Sequence, residues 1–124
     1  MAKRLEQLII DATSESNTGD DWGKIVEICD NADGNEATAR EVVATLVKRV
    51  QHRNVNVILF SLTVANSLMQ NCSSTVKREV ASRAFLDALM RQINNQHTHV
   101  TVRNRILELI KQWAELASND ASLE

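Results

Sequence analysis

Apolar residues recur at helical spacing along almost the whole chain, and short polar breaks separate the runs. Leu5, Leu8, Ile9 and Ala12 fall on one side of a first, short helix, and Ile25, Ile28, Cys29 and Ala32 on one side of a second. Val42, Val43, Leu46, Val47 and Val50 predict a third, amphipathic helix. From Val55 to Asn71 the chain is apolar on most sides, with Val57, Ile58, Leu62, Val64, Ala65, Leu68 and Met69 covering a wide arc. A helix of that kind is central and touched by several neighbours. Its narrow polar strip holds Asn56, Thr63, Ser67 and Gln70, with Asn71 near the edge. A short helix over Ser74–Val80 and a run with Phe85, Leu86, Leu89, Met90 and Ile93 follow. The last helix, from about Val100 to Ala117, is predicted to bury Val102, Ile106, Leu107, Ile110, Trp113 and Ala114.

The breaks carry start and stop signals. Thr18-Gly19-Asp20-Asp21 offers capping oxygens before the second helix, with acids placed at its positive pole. Asp33-Gly34-Asn35 ends that helix and supplies Asn35 as a cap for the next, while Asn54 and Ser82 are caps for later ones. Connections this short make neighbouring helices antiparallel. A nearly all-apolar helix flanked by amphipathic ones predicts a layered superhelix and not a closed four-helix bundle. No repeat at fixed spacing marks a solenoid.

One helix carries more apolar surface than a core requires. At about 100° per residue, Ile25, Ile28, Cys29 and Ala32 already complete a buried face. Trp22 and Val26, one turn apart, extend the arc sideways until it meets Asp30. Two readings stand: a surface to be covered by another molecule, or a Trp22 folded over the helix start.

Composition narrows the class. A chain of 124 residues is one domain with room for a real core. Apolar residues make up 44% and aromatics only 3%, so the core is aliphatic. No proline and only three glycines argue for an all-α domain. The net charge of −2 gives no general pull towards nucleic acid or anionic membrane. Cys29 and Cys72 sit far apart inside apolar stretches and form no CxxC pair, so they read as small buried hydrophobes in a reducing compartment. No apolar run of about 18 residues occurs, and an acid comes too early at the N-terminus for a signal peptide. The expectation is a soluble cytosolic chain.

Catalytic chemistry is not in evidence. His52, His97 and His99 sit at helix junctions; His97 and His99 could share a metal, but the sequence offers no third ligand. Neither cysteine has a nearby base, no glycine-rich phosphate loop occurs, and the acids are dispersed. The chain is expected to be neither an enzyme nor a cofactor or metal binder. Basic residues gather at two junctions, Lys48, Arg49 and Arg53 at one and Lys77, Arg78 and Arg83 at the other. Such charges normally solvate helix C-termini; on one common side they would suit a phosphoinositide headgroup or an acidic peptide.

Several segments resemble a known family. Asp21-Trp22-Gly23 with Glu27-Ile28-Cys29-Asp30 resembles the second helix of VHS domains, and Arg49-Val50-Gln51-His52-Arg53-Asn54 resembles the end of their third. Asn71-Cys72 and Arg78-Glu79-Val80-Ala81-Ser82-Arg83-Ala84-Phe85 are similar to further runs of that family, in the same order. The stretch Ala12–Thr18 is most similar to the signal-transducing adaptor molecule (STAM) group and its fungal counterparts.

The resemblance implies a right-handed superhelix. Seven helices are expected here, with the family's eighth missing, over a domain spanning 1–118 and a tail or cloning remnant at 119–124. It also implies a ubiquitin-binding module of an endosomal (ESCRT-type) sorting adaptor. The implied contact residues are Trp22 and Val26 on helix two, with Ser67 and Asn71 on helix four. Val26 stands where the family usually has leucine. Val55 and Ser73 likewise depart from the family's common Asn-Pro pair and glycine. The implied partners are ubiquitin, ubiquitinated cargo and a sorting-complex subunit bound through regions outside this chain. A weak membrane headgroup contact remains open, nucleic acid is not expected, and the implied location is cytoplasmic, peripheral on the endosome membrane. The alternatives are acidic-dileucine peptide binding, with Arg83–Ile93 as one groove wall, or phosphoinositide headgroup binding.

Overall fold

The computed structural model describes residues 2–119. Those residues form seven helices: α1 (Ala2–Ala12), α2 (Trp22–Ala32), α3 (Glu36–Arg49), α4 (Val55–Asn71), α5 (Ser74–Val80), α6 (Arg83–Asn94) and α7 (Val100–Asn119). Among the described residues there is no strand. α7 runs to Asn119, and the rest of the expected tail, 120–124, lies outside the described residues.

The helix boundaries follow from their caps. Asp21 accepts a hydrogen bond from the Lys24 amide at 3.2 Å, Asn35 from Thr38 at 2.8 Å, and Asn54 from Asn56 and Val57. Each satisfies an amide that the helix itself leaves without a partner. Ser82 occupies the cap position of α6, yet its side chain makes no capping hydrogen bond.

Short connections force antiparallel neighbours, so helices two apart run parallel. α1, α3 and α6 lie side by side in one layer, α2, α4 and α7 in the other, and α5 packs on α3 and α4. The result is a right-handed superhelix with α4 at its centre. α4 buries Val57, Ile58, Leu62, Val64, Ala65, Leu68 and Met69. Fully burying a leucine of this kind is worth about 1.5–3 kcal/mol. Ser61 is buried among them at no polar cost, because its hydroxyl donates to the Val57 carbonyl at 2.6 Å. Phe85 and Trp113 close the far end, their ring centroids 6.3 Å apart.

Two expected core positions of α7 are not in the core. Leu107 and Ala114 are exposed, whereas Leu109 is fully buried. Val102, Ile106, Leu109 and Trp113 fall within about 60° of one another on the wheel, and Leu107 and Ala114 lie about 130° and about 110° away from that stripe's middle. Met90 of α6 is exposed for the same reason: Phe85, Ala88 and Leu89 set the buried face. Arg49, grouped by sequence with Lys48 and Arg53, turns inward. Its Nε donates to the hydroxyl of the fully buried Thr13 at 2.9 Å and its Nη2 to the Thr13 carbonyl at 3.3 Å. That contact ties the end of α1 to the end of α3. No helix among the described residues is long and apolar enough to cross a membrane.

Candidate functional site

Trp22 is the first residue of α2, and its position is fixed from both sides. Asp21, just before it, caps the helix and pairs with Lys24 Nζ at 2.8 Å. The hydrogen bond from the Lys24 side chain holds the Asp21 carboxyl below its ordinary range. The preceding loop is tethered where Asn17 Nδ2 donates to the carbonyls of Asp11 and Ala12, at 2.9 and 3.2 Å. Trp22 therefore stands at a defined corner and does not fold over the helix start. It is 58% exposed, and Val26, one turn on, is 57% exposed. Ile25, Ile28, Cys29 and Ala32 are buried, as their spacing predicted.

The flank that Trp22 and Val26 occupy is the one turned towards α4. Counting about 100° per residue from Trp22, Val26 lies at about 40°, Cys29 at about −20° and Asp33 at about 20°. Cys29 and Asp33 both bond the far end of α4. The Cys72 thiol donates to the Cys29 carbonyl at 3.7 Å, and the Ser73 amide to Asp33 Oδ1 at 2.9 Å. The apolar pair and the two anchor points thus share one stripe.

α4 presents its own stripe on this side. Trp113 Nε1 donates to Asn66 Oδ1 at 3.0 Å, which marks the flank of α4 that meets α7. Ser67, Asn71 and Phe60 lie about 100–140° round from Asn66, on the flank turned away from α7, and α2 packs on α4 as well. Asn71 is exposed and its amide has no hydrogen bond within the described residues. Ser67 is only 7% exposed, and its hydroxyl donates to the Thr63 carbonyl at 3.0 Å. Its contribution to any contact is its small size and not its hydroxyl. Phe60, half-buried, is an aromatic member of this flank that sequence reasoning passed over. Its place two turns before Ser67, at the border of the polar strip, was the available signal.

The surroundings are acidic. Asp20, Asp21, Glu27 and Asp30 fringe the Trp22–Val26 pair, and Glu27 and Asp30 are exposed. The face offers a partner a small apolar patch inside a negative rim. Among the described residues no group of His, Cys, Asp or Glu is arranged to hold a metal ion. Both cysteines are free and buried.

Comparisons with known proteins agree with this architecture. The sequence matches the VHS domain family over residues 1–124. It is 46% identical over 118 residues to the class E vacuolar protein-sorting machinery protein HSE1 of Chaetomium globosum, covering 95% of this chain and 16% of that protein. It is 34% identical over 120 residues to the protein of the same description from Schizosaccharomyces pombe, covering 96% of this chain and 32% of that one. The chain thus spans a small part of the curated relatives it matches. In three dimensions it resembles the yeast Ent1 ENTH domain, with a TM-score of 0.75 at 18% identity, covering 98% of this chain and 93% of that one. An ENTH-VHS domain from Arabidopsis thaliana superposes with a TM-score of 0.69 at 15% identity, covering 90% and 82% of the two chains. With a family match over its full length and fungal relatives well above 30% identity, this chain belongs to the VHS domain family.

Proposed function

We propose that this domain is a ubiquitin-binding module of an endosomal sorting adaptor, recognising ubiquitinated membrane cargo through the α2–α4 face. One observation carries the reading: a tryptophan and a valine one turn apart are both more than half exposed. The other aromatic side chains, Phe60, Phe85 and Trp113, are half-buried or buried. Leaving an indole in water forfeits the burial that stabilises every other large side chain here, and binding a partner recovers it. The sorting role is drawn from the fungal relatives, whose descriptions name vacuolar protein sorting.

Trp22 is the anchor of the contact, Val26 extends it, and Asn71 supplies a free amide at the rim. Ser67 and Phe60 form the floor between the helices. The acidic fringe suits a partner patch ringed by basic groups. So small an apolar contact gives weak binding, on the order of 100 µM, or about −5 to −6 kcal/mol. Avidity from further modules of the full-length protein then supplies useful strength. The protein works in the cytoplasm, peripheral on the endosome membrane, with its sorting-complex partner bound elsewhere in the protein.

Retention on immobilised ubiquitin tests the reading. The wild-type domain should be retained and Trp22→Asp should flow through with an unchanged circular dichroism spectrum. Equal retention of both proteins would remove Trp22 from the contact.

A further inference from the structure

Cys29 and Cys72 stand 43 residues apart in sequence and meet in the seam between α2 and α4. The Cys72 thiol donates to the Cys29 carbonyl at 3.7 Å and also hydrogen-bonds the Cys29 side chain, so two free thiols share one site. A second contact holds them in register, because the Ser73 amide donates to Asp33 Oδ1 at 2.9 Å. That bond joins the residue after Cys72 to the residue that caps the end of α2.

Their setting is neither sealed core nor open surface. Cys29 is 9% exposed and Cys72 6%, while Ile28 and Leu68 beside them are fully buried. A molecule as small as hydrogen peroxide reaches a sulfur at such an edge more readily than a bulky alkylating reagent does. Cys72 is the C-cap of α4, with extended backbone at φ −99° and ψ 173°, so it lies past the last regular turn. Its side chain can re-aim without breaking the helix.

The two thiols differ in character. The hydrogen bond with Cys72 favours the thiolate of Cys29 and holds it below the ordinary value of 9.0, against burial and the charges of Asp30 and Asp33. The Cys72 thiol, as the donor, is pushed the other way. One sulfur is thus the nucleophile, and its partner is a protonated thiol in contact with it. In that arrangement an oxidised sulfur finds a resolving thiol at once.

We propose that Cys29 and Cys72 form a reversible disulfide within the folded domain, with hydrogen peroxide as the oxidant. The Cys29 sulfur attacks one peroxide oxygen. An S–O bond forms, the O–O bond breaks, and the leaving hydroxide becomes water with the proton that Cys29 released. The Cys72 sulfur then attacks the sulfenic sulfur. An S–S bond forms, the S–O bond breaks, and the departing hydroxide leaves as water with the Cys72 proton. Each thiol loses one electron, and one peroxide becomes two waters. Small thiols reverse the step by exchange. The bond staples α4 to α2 and closes a loop that contains all of α3. A cross-link over so long a loop restricts the unfolded chain strongly, so the oxidised domain is the more stable form. This chemistry belongs to the fold and holds whether or not the α2–α4 face binds ubiquitin.

Hydrogen peroxide titrated onto the reduced domain, followed by thiol counting in denaturant and peptide mass mapping, tests the pair. The expected result is loss of both thiols together, a Cys29–Cys72 cross-link within one chain, and a Tm raised by about 5 °C or more. Dithiothreitol should restore both thiols and the original Tm. Cys72→Ala should stop at a sulfenic acid on Cys29, which dimedone captures, and Cys29→Ala should yield no dimedone adduct. The cross-link and the melts are read on wild type, so a variant that folds poorly does not blunt the test. Thiols that survive until the methionines oxidise, a cross-link between two chains, or a link that forms only in denaturant would overturn the proposal. So would an oxidised domain that melts below the reduced one.

Discussion

The thiol of Cys72 donates to the carbonyl oxygen of Cys29 at 3.7 Å, fastening the end of α4 to the last turn of α2. The two residues are far apart in sequence, yet between them they set the spacing of the face that carries Trp22, Val26 and Asn71. Together with the Asp33–Ser73 contact at 2.9 Å, this bond makes the α2–α4 face a fixed surface.

The Cys72 thiol also meets the Cys29 side chain. Hydrogen bonding with that side chain and then burial push the Cys72 thiol well above the ordinary value of 9.0. A raised folded value favours the protonated form, so its stabilisation is complete below about pH 9 and fades as pH rises further. The gap between the thermal melts of wild type and Cys72→Ala should therefore hold steady up to about pH 9 and narrow as pH rises beyond it. A bulky alkylating reagent should also leave Cys72 unmodified until the domain unfolds.

Val26→Leu adds one methylene to an exposed position, where the fold itself has little to gain or lose. If Val26 is covered in the complex, the extra burial is worth about 0.8 kcal/mol, or roughly fourfold tighter ubiquitin binding. Isothermal titration gives the ratio, and melting temperatures within a degree or so would show that stability is not the cause. Unchanged affinity would place Val26 outside the contact.

Arg49→Lys keeps a cation at the α3 terminus and loses the fork that holds Thr13. The Nε bond at 2.9 Å and the carbonyl contact at 3.3 Å both go. The cost is about 1–2 kcal/mol, a fall of about 4–8 °C in Tm. A melting curve indistinguishable from wild type would reduce this contact to surface decoration.

Much of the fold was readable from caps and periodicity. Asp21, Asn35 and Asn54 mark helix starts with chemistry that acts locally, and α4 and α5 span the stretches predicted for them. The same wheel that exposed Trp22 misplaced Leu107, because α7 has apolar residues on more than half of its circumference and only its neighbours decide which are covered. Ser67 shows the converse: a polar residue reads as surface, yet its hydroxyl is satisfied within its own helix and the side chain is buried. The Cys29–Cys72 contact was not legible at all. The two thiols meet only because α4 ends beside the last turn of α2, a tertiary fact that periodicity does not contain.

An NMR titration of the labelled domain with ubiquitin tests the central claim most directly. The account predicts fast-exchange shifts confined to Trp22 and Val26 of α2 and to the Phe60–Asn71 flank of α4, with a Kd on the order of 100 µM. In Trp22→Ala those shifts should vanish while the remaining spectrum stays in place. Shifts centred on α6 and α7, or unaltered binding by Trp22→Ala, would contradict it.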